Sequence, residues 1–111
     1  MEVVVQALHV DAQTLREDVV RRLRFATQRA SGFVSRAVVR MKDTNGPRGG
    51  VDKQCQVHLT TTDGTVIVAL SQGVSWRAAL ELALSRAVRA LWRRIGSRKA
   101  KAVGRSAATA A

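Results

Sequence analysis

The sequence predicts a two-layer α+β domain in the order β-α-β-β-β-α, with a four-stranded sheet and both helices on one face. Three observations predict it. Two segments carry apolar residues at three- and four-residue steps. Four short segments are β-branched or alternate with period two. Two Gly-bearing turns separate the last three of those. With 111 residues the chain has room for one domain. A chain of this length buries roughly 65 % of its unfolded surface, enough for a core without disulfide staples.

Val3-Val4-Val5-Gln6-Ala7-Leu8-His9 opens the chain as a short strand. Asp11 is then a candidate helix N-cap, with Thr14 a second one and Glu17 at capping-box spacing from it. Leu15, Val19, Leu23, Ala26 and Ala30 form an amphipathic stripe that Ser31-Gly32 ends. The segment from Phe33 to Lys42 alternates: Phe33, Ala37, Val39 and Met41 share one parity, and Arg36, Arg40 and Lys42 the other. That pattern describes a strand with a buried face and a basic face.

Asp43-Thr44-Asn45-Gly46-Pro47-Arg48-Gly49-Gly50 is a turn, because Gly and Asn tolerate positive φ and Pro47 cannot pair in a sheet. From Val51 to Thr61, Cys55, Val57 and Leu59 oppose Gln54, Gln56, His58 and Thr60. Asp63-Gly64 is a two-residue hairpin signal leading into the strand Thr65 to Leu70. Ser75 caps a second helix whose apolar face is Trp76, Leu80, Leu84, Ala87, Val88, Leu91 and Ile95. Residues 1–96 therefore form the domain, and residues 97–111, rich in Ala, Ser, Lys and Arg, are expected to be a basic disordered tail.

Charge is the dominant feature of the composition. Nineteen Lys and Arg oppose eight Asp and Glu, a net +11, and fifteen of the nineteen are Arg. Arg donates bidentate hydrogen bonds to phosphate and stacks on bases, so this excess is the footprint of polyanion binding. Glu81 is the last acid; eight cations from Arg86 to Arg105 follow it. On the second helix Arg86, Arg89 and Arg93 fall in one arc opposite the Leu stripe. A solvated helix back usually mixes signs to gain pairs four residues apart. These three repel one another, and a phosphate-bearing partner relieves that repulsion. Arg94 lies beside them and is counted with the same basic set.

The first helix adds Arg16, Arg21, Arg22, Arg24 and Arg29, partly offset by Glu17 and Asp18. Arg22 flanks the apolar stripe and is expected to emerge between the helices. Arg21 and Arg24 point further out, where solvation accounts for them as well as phosphate contact does. Phe25 falls off the stripe: stacking on a base and packing near Gly32 are both open, and packing is favoured. Arg36, Arg40 and Lys42 extend a positive patch over the open sheet face beside Gln54, Gln56 and His58. That face lacks the paired aromatics of an RNA-recognition-motif platform.

Chemistry other than binding finds little support. His9 and His58 are the only histidines, and Cys55 and His58 have opposite parity on one strand. No Cys/His spacing suits a metal, and the Gly46 to Gly50 stretch lacks the Lys-Ser/Thr and helix start of a phosphate loop. Cys55 reads as a small buried hydrophobe, and as the lone cysteine it fits a reducing compartment. No catalytic residues, metal, cofactor or small-molecule substrate are expected. The start lacks a signal peptide and no apolar run spans a membrane, so a cytoplasmic protein, monomeric when free, is expected.

The segment Val39-Arg40-Met41-Lys42-Asp43-Thr44-Asn45-Gly46-Pro47-Arg48-Gly49-Gly50-Val51-Asp52-Lys53-Gln54-Cys55 resembles the strand-loop-strand of the ribosome hibernation-promoting factor family. That family includes the ribosome-associated inhibitor and was long labelled sigma-factor modulation protein. The similarity continues through Asp63-Gly64 into Trp76-Arg77-Ala78-Ala79-Leu80 and spans residues 1–95.

The resemblance implies a double-stranded-RNA-binding-domain-like fold lodged in the decoding channel of the small ribosomal subunit. There it contacts rRNA, excludes mRNA and tRNA, and holds the ribosome idle. The family's basic positions match at Arg22, Arg86, Arg89 and Arg93. The chain stops after a short tail, so pairing of ribosomes through the C-terminal dimerisation domain of long members is not expected; the tail is basic, unlike that of some short members. The competing readings are a module for other RNA or DNA and a protein–protein modulator of transcription.

Overall fold

The computed structural model describes residues 1–8, 12–43 and 53–110, with side chains described for 1–7, 15–43 and 53–96. The caps expected at Asp11 and Thr14, the turn over 44–50 and the side chains of the tail lie outside the described residues. The elements run β1 (Glu2–Leu8), α1 (Ala12–Thr27), a 3-10 segment (Gln28–Phe33), β2 (Val34–Asp43), β3 (Lys53–Thr61), β4 (Val66–Gly73) and α2 (Trp76–Ala110). This is the expected β-α-β-β-β-α order, and the sheet is four-stranded in the order β1-β2-β3-β4. β1 and β2 are parallel and joined through α1; the other neighbours are antiparallel.

Register explains the layers. Val5, Val39, Val57 and Ala69 line up across all four strands, and each is buried. Met41, Cys55, Leu59 and Ile67 share their face, and Val19 and Leu23 of α1 and Leu80, Leu84 and Leu91 of α2 close over it. Both helices therefore cover one side of the sheet. The opposite side carries the row Val4, Val38, His58 and Val68, with Gln6, Arg40, Gln56 and Leu70 beside it.

Three local departures from simple periodicity have physical causes. β2 pairs Val34 with Thr61 and Arg36 with Thr60, so Ser35 is an extra residue in the ladder. This bulge turns Val34 into the core at 3 % exposure, although its parity matches Arg36 and Arg40; Ser35 Oγ donates to the Thr60 carbonyl across it (3.1 Å). Four residues, Thr62 to Thr65, join β3 to β4, where the sequence signal reads as a two-residue loop. Thr61 N–H donates to the Thr65 carbonyl (2.8 Å), Gly64 N–H to the Thr61 carbonyl (3.0 Å), and Gly64 takes φ +88°. α1 ends at Thr27, earlier than Ser31-Gly32, and tightens into the 3-10 segment.

The second helix starts as expected. Ser75 Oγ accepts from the Ala78 N–H (3.1 Å), an N-cap. It also packs more closely than the Leu stripe alone suggests, because Ala79, Ala83 and Ala87 are fully buried at four-residue spacing. Small side chains on that line let α2 approach the sheet. α2 is assigned as helix over 35 residues, well past Ile95, the last residue of the stripe. The residues beyond Ile95 are mainly helix formers without Pro, so backbone propensity continues where core packing stops.

Gly73 marks the tightest junction. A Cβ there would lie 2.8 Å from the Ala79 backbone nitrogen, in the first turns of α2. Gly73→Ala is expected to lower stability by about 1–3 kcal/mol, whereas Gly32→Ala, which meets nothing within 4 Å, stays within about 0.5 kcal/mol of wild type. Thermal and urea unfolding of the two variants checks this.

Candidate nucleic-acid interface

The outward side of α2 presents Arg86, Arg89 and Arg93, all exposed. The arc they share straddles the helix crest, and the three side chains serve different surroundings. Arg86 leans over the free edge of β4, where its Nη1 donates to the Leu70 carbonyl (2.8 Å). That bond occupies an edge acceptor and leaves the other guanidinium donors outward. Arg89 lines the groove between α1 and α2. Among the described residues neither Arg89 nor Arg93 has a hydrogen bond or ion pair to a side chain.

Arg22 emerges between the helices, and it is already engaged. Its Nε donates to Asp18 Oδ2 one turn earlier (3.0 Å), and its Nη1 to Glu81 Oε1 on α2 (2.7 Å). The side chain is only 23 % exposed. Arg22 is thus an interhelix clamp, and its Nη2 carries no hydrogen bond among the described residues. Arg21 also pairs with Asp18 but is largely exposed, and Arg77 Nε reaches Glu81 (3.3 Å).

Arg94 departs from the basic ridge. It turns to the β3–β4 hairpin, where Nη2 donates to Thr65 Oγ1 (3.2 Å) and lies 3.4 Å from Asp63 Oδ2. Its geometry is that of a tie between α2 and the hairpin. On the open sheet face Arg36 sits opposite Glu2, with an N–O separation of 3.9 Å. Arg40 and Lys42 are exposed there and, among the described residues, neither forms an ion pair. Their patch is narrow, since β4 alongside presents Val66, Val68 and Leu70, each about half exposed.

Two features were not foreseen from sequence. Phe25 does not pack near Gly32; it is 73 % exposed and stands on the rim of the α1–α2 groove. The groove itself, about 750 Å³, has Ala26, Leu84 and Val88 as its apolar lining with Arg21 and Arg89 beside them. The available sequence signal was Phe25 falling off the apolar stripe.

Cys55 is buried, and burial pushes its thiol up to about 12, so it stays protonated and inert. Among the described residues no three His, Cys, Asp or Glu side chains gather to hold a metal ion. No described helix is long and apolar enough to cross a membrane.

No family model matches the chain, and no curated protein matches it in sequence. Solved structures do match in fold. The Protein Y N-terminal domain of Thermus thermophilus superimposes with a TM-score of 0.68 at 14 % identity, covering 84 % of this chain and 98 % of that one. A ribosomal subunit interface protein from Coxiella burnetii superimposes with a TM-score of 0.57 at 12 % identity, covering 90 % and 99 % respectively. The α+β fold is theirs.

The Arg22 hydrogen bond holds the Asp18 carboxyl below its usual 3.8, against the opposing effect of burial, and Arg21 adds to the lowering. A carboxyl depressed in the folded state contributes stability above its unfolded pKa and loses it as pH falls through the folded value. Asp18→Asn is therefore expected to be less stable than wild type at pH 7, with the gap closing below about pH 3.8. Urea unfolding at pH 7 and pH 3 measures the gap; an unchanged difference would remove the clamp from the electrostatic account.

Proposed function

We propose that this chain is a ribosome-associated translation inhibitor of the hibernation type. It binds small-subunit rRNA in the decoding channel and sterically excludes mRNA and tRNA. The observation that carries the reading is the outward face of the helices: Arg89 and Arg93 stand exposed without acids, on a chain of net +11. Such a face is repulsive in isolation and attractive to closely spaced phosphates.

Three further observations support it. The fold is shared with a protein described as a ribosomal subunit interface protein. The strand-loop-strand sequence from Val39 to Cys55 resembles the hibernation-promoting factor family. The sheet face has no aromatic platform, which favours recognition of folded RNA by shape and charge over reading of single strands by the sheet.

In this reading Arg89 and Arg93 donate to phosphates directly, and Arg86 does so with the donors not held by Leu70. Arg22 offers Nη2 from a fixed position, since Asp18 and Glu81 hold the rest of the fork. Arg21, Arg36, Arg40 and Lys42 add longer-range attraction. Arg94 is placed last in the set because the hairpin occupies it. The mechanism is occupancy alone. It needs no cofactor and no catalysis, and it belongs in the cytoplasm with the ribosomes.

Co-sedimentation with purified small ribosomal subunits tests the proposal. Wild type is expected to pellet stoichiometrically at moderate salt, and an Arg86/Arg89/Arg93→Ala variant to bind far more weakly while remaining folded. The log–log salt slope should fall by about one for each arginine that meets a phosphate. A folded wild type that stays in the supernatant would sink the ribosomal assignment; unchanged binding by the variant would sink the ridge.

A further inference from the structure

The groove between α1 and α2 holds a feature that phosphate binding does not use. Phe25 is the most exposed large apolar side chain among the described residues, at 73 %. It lines the groove together with Ala26, Leu84 and Val88, and Arg21 and Arg89 line it too. The volume, about 750 Å³, suits a nucleotide-sized ligand. Trp92, 41 % exposed, follows Val88 by one helical turn on α2 and lies outside the groove lining.

The charge around the groove selects the occupant. Arg21, Arg22 and Arg89 line it against the single acid Glu81. Arg21 and Arg22 already pair with Asp18, and Arg22 also with Glu81, but an apolar peptide segment would leave Arg89, which has no partner among the described residues, with nothing to pair to. A nucleobase with its own phosphates answers both requirements: the ring system covers the apolar lining, and the phosphates reach the arginines. Aromatic side chains stack on unpaired bases irrespective of base identity, because every base has a π-face.

We propose that the α1–α2 groove is a nucleobase-stacking site. An unpaired base of the bound RNA lies against the Phe25 ring over Ala26, Leu84 and Val88, and its flanking phosphates lie between Arg21 and Arg89. This rests on the RNA-binding reading above and adds to it a preference for RNA with an unstacked nucleotide at that position. Paired bases within a helix cannot enter the groove. Phe25 and the arginines thus divide the work: the ring supplies a salt-independent contribution and the guanidiniums a salt-dependent one.

The test uses the full chain and two labelled oligomers read by fluorescence anisotropy: octa-adenylate, and an abasic ribose-phosphate chain of the same length. Wild type is expected to bind octa-adenylate about five- to a hundredfold more tightly than the abasic chain, the range base–aromatic stacking supplies. Phe25→Leu should erase that preference while keeping both the abasic affinity and the salt slope. Phe25→Trp should retain it. Both variants are expected to fold, because the side chain is mostly in solvent. Equal wild-type affinity for the two oligomers, or a preference that survives Phe25→Leu, overturns the proposal. Either result alongside wild-type pelleting with small subunits removes the groove alone. Failure to pellet removes the ribosomal assignment, and a Phe25-dependent base preference would still stand.

Discussion

The row Val5, Val39, Val57 and Ala69, in register across four strands, has to be kept dry from one side only, and this constraint organises the rest of the molecule. Both helices are drawn to that side. The bulge at Ser35 brings Val34 into the same layer, and the alanine line of α2 lets a helix of Leu and Arg lie close to β3 and β4. Each helix then has one face committed to burial and one left to water. A two-layer fold of this size cannot hide fifteen arginines, so their placement on the outer surface is where function can be written.

The cations divide by what holds them. Arg22, Arg94 and Lys53 are tied to acids on neighbouring elements, and the Lys53 ammonium, 2.7 Å from Asp43, also lies over the Trp76 ring at 5.4 Å. These part-buried pairs fix geometry between elements. Arg89 and Arg93 have no such tie among the described residues. The result is a fixed scaffold of paired charge beneath an unpaired ridge. Arg22 belongs to both: two acids hold its fork, and its side chain lines the same groove as Arg89. The sheet face has a different character, because its cations sit on β2 while the edge strand β4 presents half-exposed Val66, Val68 and Leu70.

Much of this was legible from sequence where a single period governs. Cys55, Val57 and Leu59 alternate strictly and are buried; Ser75 precedes the helix it caps; Arg86, Arg89 and Arg93 recur at helical spacing and are exposed. Legibility fails where the outcome depends on residues far apart or on a local irregularity. Glu81 is 59 positions from Arg22, so their bond is invisible to helix periodicity. Val34 has the parity of an outward residue until the bulge reverses it. Ala79 and Ala83 carry too little hydropathy to announce that they are fully buried along α2. Arg94 differs from Arg93 by one position, and that rotation about the helix axis takes it from the ridge to the hairpin. Phe25 was the instructive case: its place off the apolar stripe signalled exposure, although an aromatic residue near a glycine suggested packing.

In the proposed function the helix face occupies rRNA in the decoding channel and thereby excludes the ligands of translation. The most direct measurement is filter binding of labelled tRNA to mRNA-programmed small subunits, with this protein titrated in. Retained tRNA is expected to fall to background as the protein reaches one copy per subunit, and added mRNA and tRNA should in turn displace the protein. Formation of a stable complex containing subunit, mRNA, tRNA and this protein together would contradict the account.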